Sequence, residues 1–190
     1  MSVKTEQKTE LIIVTALHIL AEQGDQGLTM RQVAKRAEMS LSNVQYYFRT
    51  KDALLAALID FYLNESYEAY YKFIETIPEQ DKPEATIRFL LINPDMEFVC
   101  RVFKELWAIS ERNDVVKKHL ANHYRFYAEQ LGEGLQALAT PECPKRNIDQ
   151  AVSLILPLVE GYQITRDAIP LDAEALVQLL TAEVLRLIGR

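Results

Sequence analysis

Apolar residues in this chain recur at intervals of three and four from near its start to its end. No stretch alternates with the period of two that a half-buried strand needs, so the fold class to expect is all-α. Leu11 or Ile12, Ala16, Ile19 and Leu20 form the first stripe, which stops at "GDQG", where Gly24 and Gly27 supply turn conformations. Thr29 followed three residues later by Gln32 is a capping-box pattern, opening a short helix with Val33, Ala34 and Ala37 as its apolar side. Ser40 is a good N-cap for a third helix that ends near Tyr47 or Phe48. Thr50 then caps a long helix carrying Leu54, Leu55, Leu58, Ile59 and Tyr62.

Beyond that point prolines separate the helical patterns. Pro78 and Pro83 bracket one connection, and Pro94 opens a segment through Phe98, Val102, Leu106 and Ile109. Asn113-Asp114 start a helix with Leu120, Tyr124, Tyr127 and Leu131 on one stripe. "TPECP" is a loop, and the helix after it, from about Asn147 to Ala168, is apolar on more than one face. Pro170 ends it, and Asp172 caps a last helix carrying Leu176, Leu180, Val184 and Leu187. No internal repeat interrupts this series.

With 49% apolar and 25% charged residues, the 190-residue chain can bury a real core. No apolar run reaches the roughly 18 residues of a membrane span. The N-terminus shows no apolar core followed by a cleavage site, so a cytoplasmic protein without membrane partners is expected. Cys100 and Cys143 then read as reduced thiols. The formal net charge of −6 is unevenly spread. Residues 28–51 hold Arg31, Lys35, Arg36, Arg49 and Lys51 against Glu38 alone, whereas residues 52–190 hold 14 basic and 22 acidic side chains. A basic patch on an acidic body concentrates attraction for phosphate at one end, although such a cluster also describes a solvated face.

Two short helices joined by a few residues are the parts of a helix-turn-helix, whose second helix enters the major groove. Leu41, Ser42, Asn43, Gln45 and Tyr46 form a surface suited to that groove. Asn and Gln bond an adenine edge bidentately, and an apolar side chain touches a thymine methyl. Val44 and Phe48, four apart, face the domain's own core. An ordinary polar surface helix accounts for the residue types but not for the flanking basic groups. Lys51 is odd in this setting, because a lysine in a first helical turn opposes the macrodipole. A phosphate from outside would resolve the oddity, since a helix start offers N–H groups to an anion.

"GLTMRQVAKRAEMSLSNVQYYFRTKDALLAAL" resembles the DNA-binding signature of the TetR family of bacterial transcriptional regulators. The shared features are Gly before Thr-x-Arg, an apolar-Ala pair, Ala before the turn, and Ser at the cap. An aromatic pair ending in Phe and Lys before Leu-Leu complete it, and "ALHILAEQG" in the preceding helix fits as well. The match covers about residues 8 to 60. Glu38 stands where the family often has Gly, and Gln45 where it often has Tyr, so an operator sequence is not transferable. The resemblance implies DNA contacts from Thr29, Arg31, Ser40, Leu41, Ser42, Asn43, Gln45, Tyr46, Tyr47 and Lys51. Thr29 and its helix start approach phosphate, Arg31 a base edge or phosphate, and Tyr47 and Lys51 clamp the backbone.

The resemblance also implies an N-terminal three-helix headpiece, residues 1–52. It would stand on a larger helical ligand-binding and dimerisation body, residues 53–190, with about nine helices in all. "LVEGYQI", residues 158–164, resembles a recurrent segment of the family's penultimate helix. The last two helices carry more apolar surface than one packed face requires. Val152, Ile155, Val159, Tyr162, Leu176, Leu180, Val184 and Leu187 are therefore candidates for a homodimer interface, with a well-buried monomer core as the alternative. Phe103, Trp107, Tyr124 and Tyr127 are candidates for an effector cavity, though aromatics at helical spacing also fill plain cores. Glu105, Arg112, Glu160 and Arg166 could each point inward or to solvent.

His119 and His123 stand at metal-ligand spacing with no matching Cys or acidic pair, so neither a metal nor another cofactor is expected. No nucleophile elbow, phosphate loop or zinc-protease pattern occurs, which argues against an enzyme. The resulting expectation is a homodimeric regulator that binds a near-palindromic double-stranded operator, a repressor released by a small molecule. A DNA-binding architectural or protein-responsive module without an inducer is the alternative.

Overall fold

The computed structural model describes residues 3–92 and 96–190, and every regular element among them is helical. In order these are α1 (Val3–Gly27), α2 (Met30–Arg36), α3 (Leu41–Tyr47), α4 (Lys51–Ile74), a single 3₁₀ turn (Glu79–Asp81), α5 (Lys82–Ile92), α6 (Met96–Ser110), α7 (Asp114–Leu138), α8 (Lys145–Thr165) and α9 (Ala173–Ile188). Pro94, expected to open the sixth helix, lies outside the described residues. The helices form two compact units. One runs from the N-terminus through Ser66 and adds Glu97–Asn122; the other joins Tyr67–Met96 to His123–Arg190.

In the first unit the helix starts are fixed by side-chain oxygens. Thr29 Oγ1 accepts from the Gln32 N–H, Ser40 Oγ from that of Asn43 and Thr50 Oγ1 from that of Ala53, each at 3.1 Å. Asn113 Oδ1 accepts from Val115 and Val116, at 3.0 and 3.2 Å. Each satisfies N–H groups that a helix start leaves orphaned, contributing about 1 kcal/mol. The expected end of α1 at "GDQG" becomes a break within it: Gly24 takes φ +67°, and the helix resumes to Gly27. A Cβ at Gly24 would also meet the Glu105 carboxylate at 3.0 Å. Glycine suits both the conformation and the approach. Ile12, Ile19, Leu20, Leu28, Val33, Val44, Leu54, Leu55 and Leu58 are buried, each contributing roughly 1.5 to 3 kcal/mol.

In the second unit α5 packs on α8 and α9, and α8 packs on α9. Asp172 Oδ1 caps α9 by accepting from Ala175 at 2.8 Å, and Gly189 closes it at φ +82°. α8 ends at Thr165, three residues before the expected Ala168. Residues 166–169 leave the helix in turns ahead of Pro170, including an Ala168 N–H bonded to the Thr165 carbonyl at 2.8 Å.

The stripe expected to form a dimer interface lies elsewhere. Ile155, Val159, Tyr162, Leu176, Leu180, Val184 and Leu187 are buried in the core of this unit, with Val152 packed against them. One helical face serves one neighbour, and here that neighbour is the chain itself. Apolar groups left outward include Ile164, 67% exposed, and Leu179, 60% exposed. Leu154 and Leu158 are half-buried, and a Cβ at Gly161 would meet nothing within 4 Å.

Candidate nucleic-acid interface and aromatic cleft

α2 and α3 are seven residues each, joined by Ala37–Ser40. The turn is tight: the Met39 N–H bonds the Ala34 carbonyl at 2.9 Å, and Glu38 adopts φ +53°. A side chain other than Gly is uncommon in this left-handed region, which gives a physical reason for the glycine the signature often carries there. Val44 is fully buried and Phe48 nearly so, and they anchor α3 from within. The opposite face carries Ser42, Gln45 and Tyr46, all exposed, with Asn43 half-buried beside them and Leu41 half-buried at the helix start. Tyr46 is 80% exposed and edge-on to Tyr47, with ring centroids 5.2 Å apart. Ser40 is engaged as the cap, with its Oγ 3.1 Å from that of Ser42.

The basic groups divide into two kinds. Arg31, Lys35 and Arg49 are exposed and make no ion pair among the described residues. Arg36 instead forms a two-pronged pair with Glu22, at 2.6 and 2.8 Å, which holds the Glu22 carboxyl below its ordinary range. Lys51 is also committed inward. Its Nζ lies 2.7 Å from the Asp25 carboxylate and donates to the Asp25 carbonyl at 2.7 Å. Arg112 approaches the same carboxylate at 3.1 Å, and the Asp25 N–H donates to Glu105 at 3.0 Å. The Lys51 hydrogen bond, then that from Arg112, lowers the Asp25 pKa against the opposing effect of burial. The anion that makes a lysine tenable at this helix start is therefore present inside the chain. An ammonium has three N–H groups, and two of them face Asp25.

The four aromatic candidates for a cavity divide between the units. In the first, Phe103 meets Tyr62 edge-on at 6.0 Å, and Trp107 is 43% exposed. In the second, Tyr127 lines a cleft of about 460 Å³ whose wall includes Tyr67, Tyr70, Tyr71, Gln130 and Leu131. Tyr70 Oη is 2.9 Å from Thr86 Oγ1, and the Tyr71 hydroxyl donates to Gln130 at 2.6 Å. Tyr67 Oη is buried with no hydrogen-bond partner among the described residues. Tyr124 does not line the cleft; its hydroxyl donates to Glu160 at 2.9 Å.

The two histidines separate as well. His119 Nδ1 is 3.0 Å from Asp60 in the first unit, whereas His123 stacks on Tyr127 at 5.8 Å in the second. No group of three or more potential metal ligands occurs among the described residues. Sequence reasoning passed over the Asp25 cluster, whose members are far apart along the chain. It also passed over Tyr67, Tyr70 and Tyr71, whose signal was in plain view in "SYEAYY".

Residues 12–58 match the family model described as bacterial regulatory proteins, tetR family. Over 187 residues the chain is 41% identical to an uncharacterized HTH-type transcriptional regulator in the dhlA 5′ region of Xanthobacter autotrophicus. That alignment covers 96% of this chain and 91% of the relative. A TetR transcription regulator from Haloarcula marismortui has the same fold, with TM-score 0.76, 18% identity and 97% of each chain covered. So does a transcriptional regulator from Rhodococcus sp. Rha1, at TM-score 0.75 and 19% identity over 95% of this chain and 96% of that one.

Proposed function

The chain belongs to the tetR family of bacterial regulatory proteins and is a DNA-binding transcriptional regulator; we propose that it works as a homodimeric repressor that a small molecule releases from its operator. In this reading residues 1–52 bind DNA and residues 53–190 bind the effector and a second copy. Leu41, Ser42, Asn43, Gln45 and Tyr46 read base edges from α3, while Thr29, Arg31, Ser40 and Tyr47 hold phosphates. Lys51 adds at most its third N–H. The observation that carries the reading is the polar, outward face of α3 on a helix anchored by Val44 and Phe48.

Pairing is supported by the outward apolar side of α8 and α9, around Leu154, Leu158, Ile164 and Leu179. Two such helix pairs make a four-helix interface and bring two copies of α3 into two-fold relation. Release is supported by the cleft, whose volume is that of a small-molecule site. A ligand releases DNA only by as much as it prefers the conformation that binds DNA less well.

Fragments selected from genomic DNA by the purified protein should share a near-palindrome, with half-sites about 10 bp or a multiple apart. Light scattering should give twice the 21.8 kDa of one chain. A monomeric mass with single, unpaired sites would overturn the dimeric repressor. A dimer that no member of a metabolite panel detaches from those fragments would point instead to an architectural module.

A further inference from the structure

We infer that the effector is a small organic cation, an amine or quaternary ammonium, held against the tyrosine wall of the second unit with Glu160 supplying the opposite charge. This rests on the reading that the cleft takes an effector, and it adds the chemical class.

Glu160 is half-buried on α8, and the Tyr124 hydroxyl is its one hydrogen-bond donor among the described residues. No lysine, arginine or histidine pairs with it there. A carboxylate taken from water without a counter-ion is costly. Burial accordingly raises the Glu160 pKa, against the lowering effect of the Tyr124 bond. The basic residue within the adjoining ring cluster does not supply the charge, because burial lowers His123 to a pKa of about 4 and leaves it neutral near pH 7.

The surroundings are aromatic. His123 lies 5.0 Å from Tyr124 and 5.8 Å from Tyr127, and Tyr67 meets Tyr127 at 5.9 Å and Phe126 at 4.9 Å. Tyr67 and Tyr127 belong both to this cluster and to the cleft wall, so the cleft's rings are backed by a carboxylate that lacks a cation. The charged residues of the cleft lining are Glu79, Lys82 and Glu133, and Lys82 is already paired with Glu79. Glu133 is therefore the charge of the lining left without an ion-pair partner among the described residues. Ring faces attract cations, most strongly where water is excluded, and aromatic boxes are the usual seat of quaternary ammonium groups. An anionic ligand would meet the same carboxylates as repulsion.

The test uses three ligands with one ring and three charges, titrated calorimetrically into the full-length protein at pH 7.5: benzyltrimethylammonium, benzyl alcohol and benzoate. The cation should bind at least tenfold more tightly than the alcohol, and benzoate least. Glu160→Gln keeps an acceptor for Tyr124 and should weaken the cation about tenfold while leaving the alcohol unchanged. Tyr67→Leu should remove much of the cation's advantage and Tyr67→Phe should retain it, so a failure of one variant to fold leaves the others to decide. Equal or tighter binding of the alcohol or benzoate overturns the inference. So does a cation that fails to bind at millimolar concentration, or one indifferent to Glu160→Gln. Anisotropy on labelled operator separates the two ideas. Release by benzoate or benzyl alcohol but not by the cation overturns the class and keeps the effector reading. Tight cation binding without release upholds the class and overturns the reading.

Discussion

Tyr46 on α3 stands 80% exposed beside Ser42 and Gln45, whereas Tyr67 and Tyr127 in the second unit are enclosed by other rings. A tyrosine is half apolar body and half polar tip, so its surroundings decide its use. On α3 the whole side chain is offered to a partner arriving from outside. In the second unit the rings form a wall and burial raises the phenol pKa values of Tyr67 and Tyr127, keeping them neutral. In the proposed reading the headpiece keeps its polar groups hydrated until DNA replaces the water. The second unit has already removed polar groups from water and left Tyr67 Oη without a partner among the described residues. The first arrangement costs little stability in the free protein; the second carries a desolvation cost that the proposed effector would relieve.

The largest expected effect tests the buried side of that contrast. His123 has a folded pKa of about 4 against an ordinary 6.5. The unfolded chain therefore takes up its proton first as pH falls. Stability from the neutral imidazole is complete above 6.5 and is lost between 6.5 and 4, by about 2 to 3 kcal/mol. Glu160 contributes the opposite trend, since its raised pKa makes the folded state gain as the carboxyl is protonated. Urea unfolding at pH 7.5 and 4.5 should show the loss in wild type and not in His123→Phe. The same pH dependence in wild type and His123→Phe would show that the cluster is hydrated and the contrast false.

Next comes the exposed side. Gln45→Ala with Tyr46→Ala should lower operator affinity about 10- to 100-fold, with smaller loss on random DNA and unfolding changed by under 0.5 kcal/mol. Loss of stability on the same scale as loss of binding would mean that α3 is structural rather than offered. The two kinds of cation sharpen the point further. Arg31→Ala should flatten the salt dependence of binding by about 0.9 in slope and leave stability unchanged. Lys51→Ala should flatten it by less, because Asp25 already balances most of that charge, and should cost about 1 kcal/mol of stability. A full slope change without destabilisation would restore Lys51 as an ordinary phosphate clamp.

Legibility in the sequence follows the same division. The caps at Thr29, Ser40, Thr50 and Asp172 act over two or three residues, so type and spacing suffice to read them. The burial of Val44 and Phe48 followed from spacing too. Partners distant in the chain were not readable: Lys51 with Asp25, Arg112 with Asp25, and Tyr124 with Glu160. Nor was the direction of an apolar stripe. Periodicity placed Ile155, Val159, Leu180 and Val184 on one face, but only the packing of α5 against α8 and α9 assigns that face to the chain's own core. The tyrosines of "SYEAYY" show the limit most clearly, because composition marks them while the cleft they line depends on α7.

The smallest expected effect lies in the turn between α2 and α3, where the headpiece bears a backbone cost of its own. Glu38 holds φ +53°, a conformation unfavourable for a side chain bearing a Cβ. Glu38→Gly relieves that strain but also frees the unfolded chain, so the net gain should be only about 0.5 kcal/mol. The substitution also removes a negative charge from the basic headpiece, which should strengthen operator and random DNA alike at low salt. Glu38→Ala separates the two effects, since it deletes the carboxylate and keeps the Cβ. If Ala matches Gly in DNA affinity but not in melting temperature, strain governs the stability and charge governs the binding. If Ala equals Gly in both, the left-handed turn costs nothing measurable, and glycine in the family's signature needs another reason.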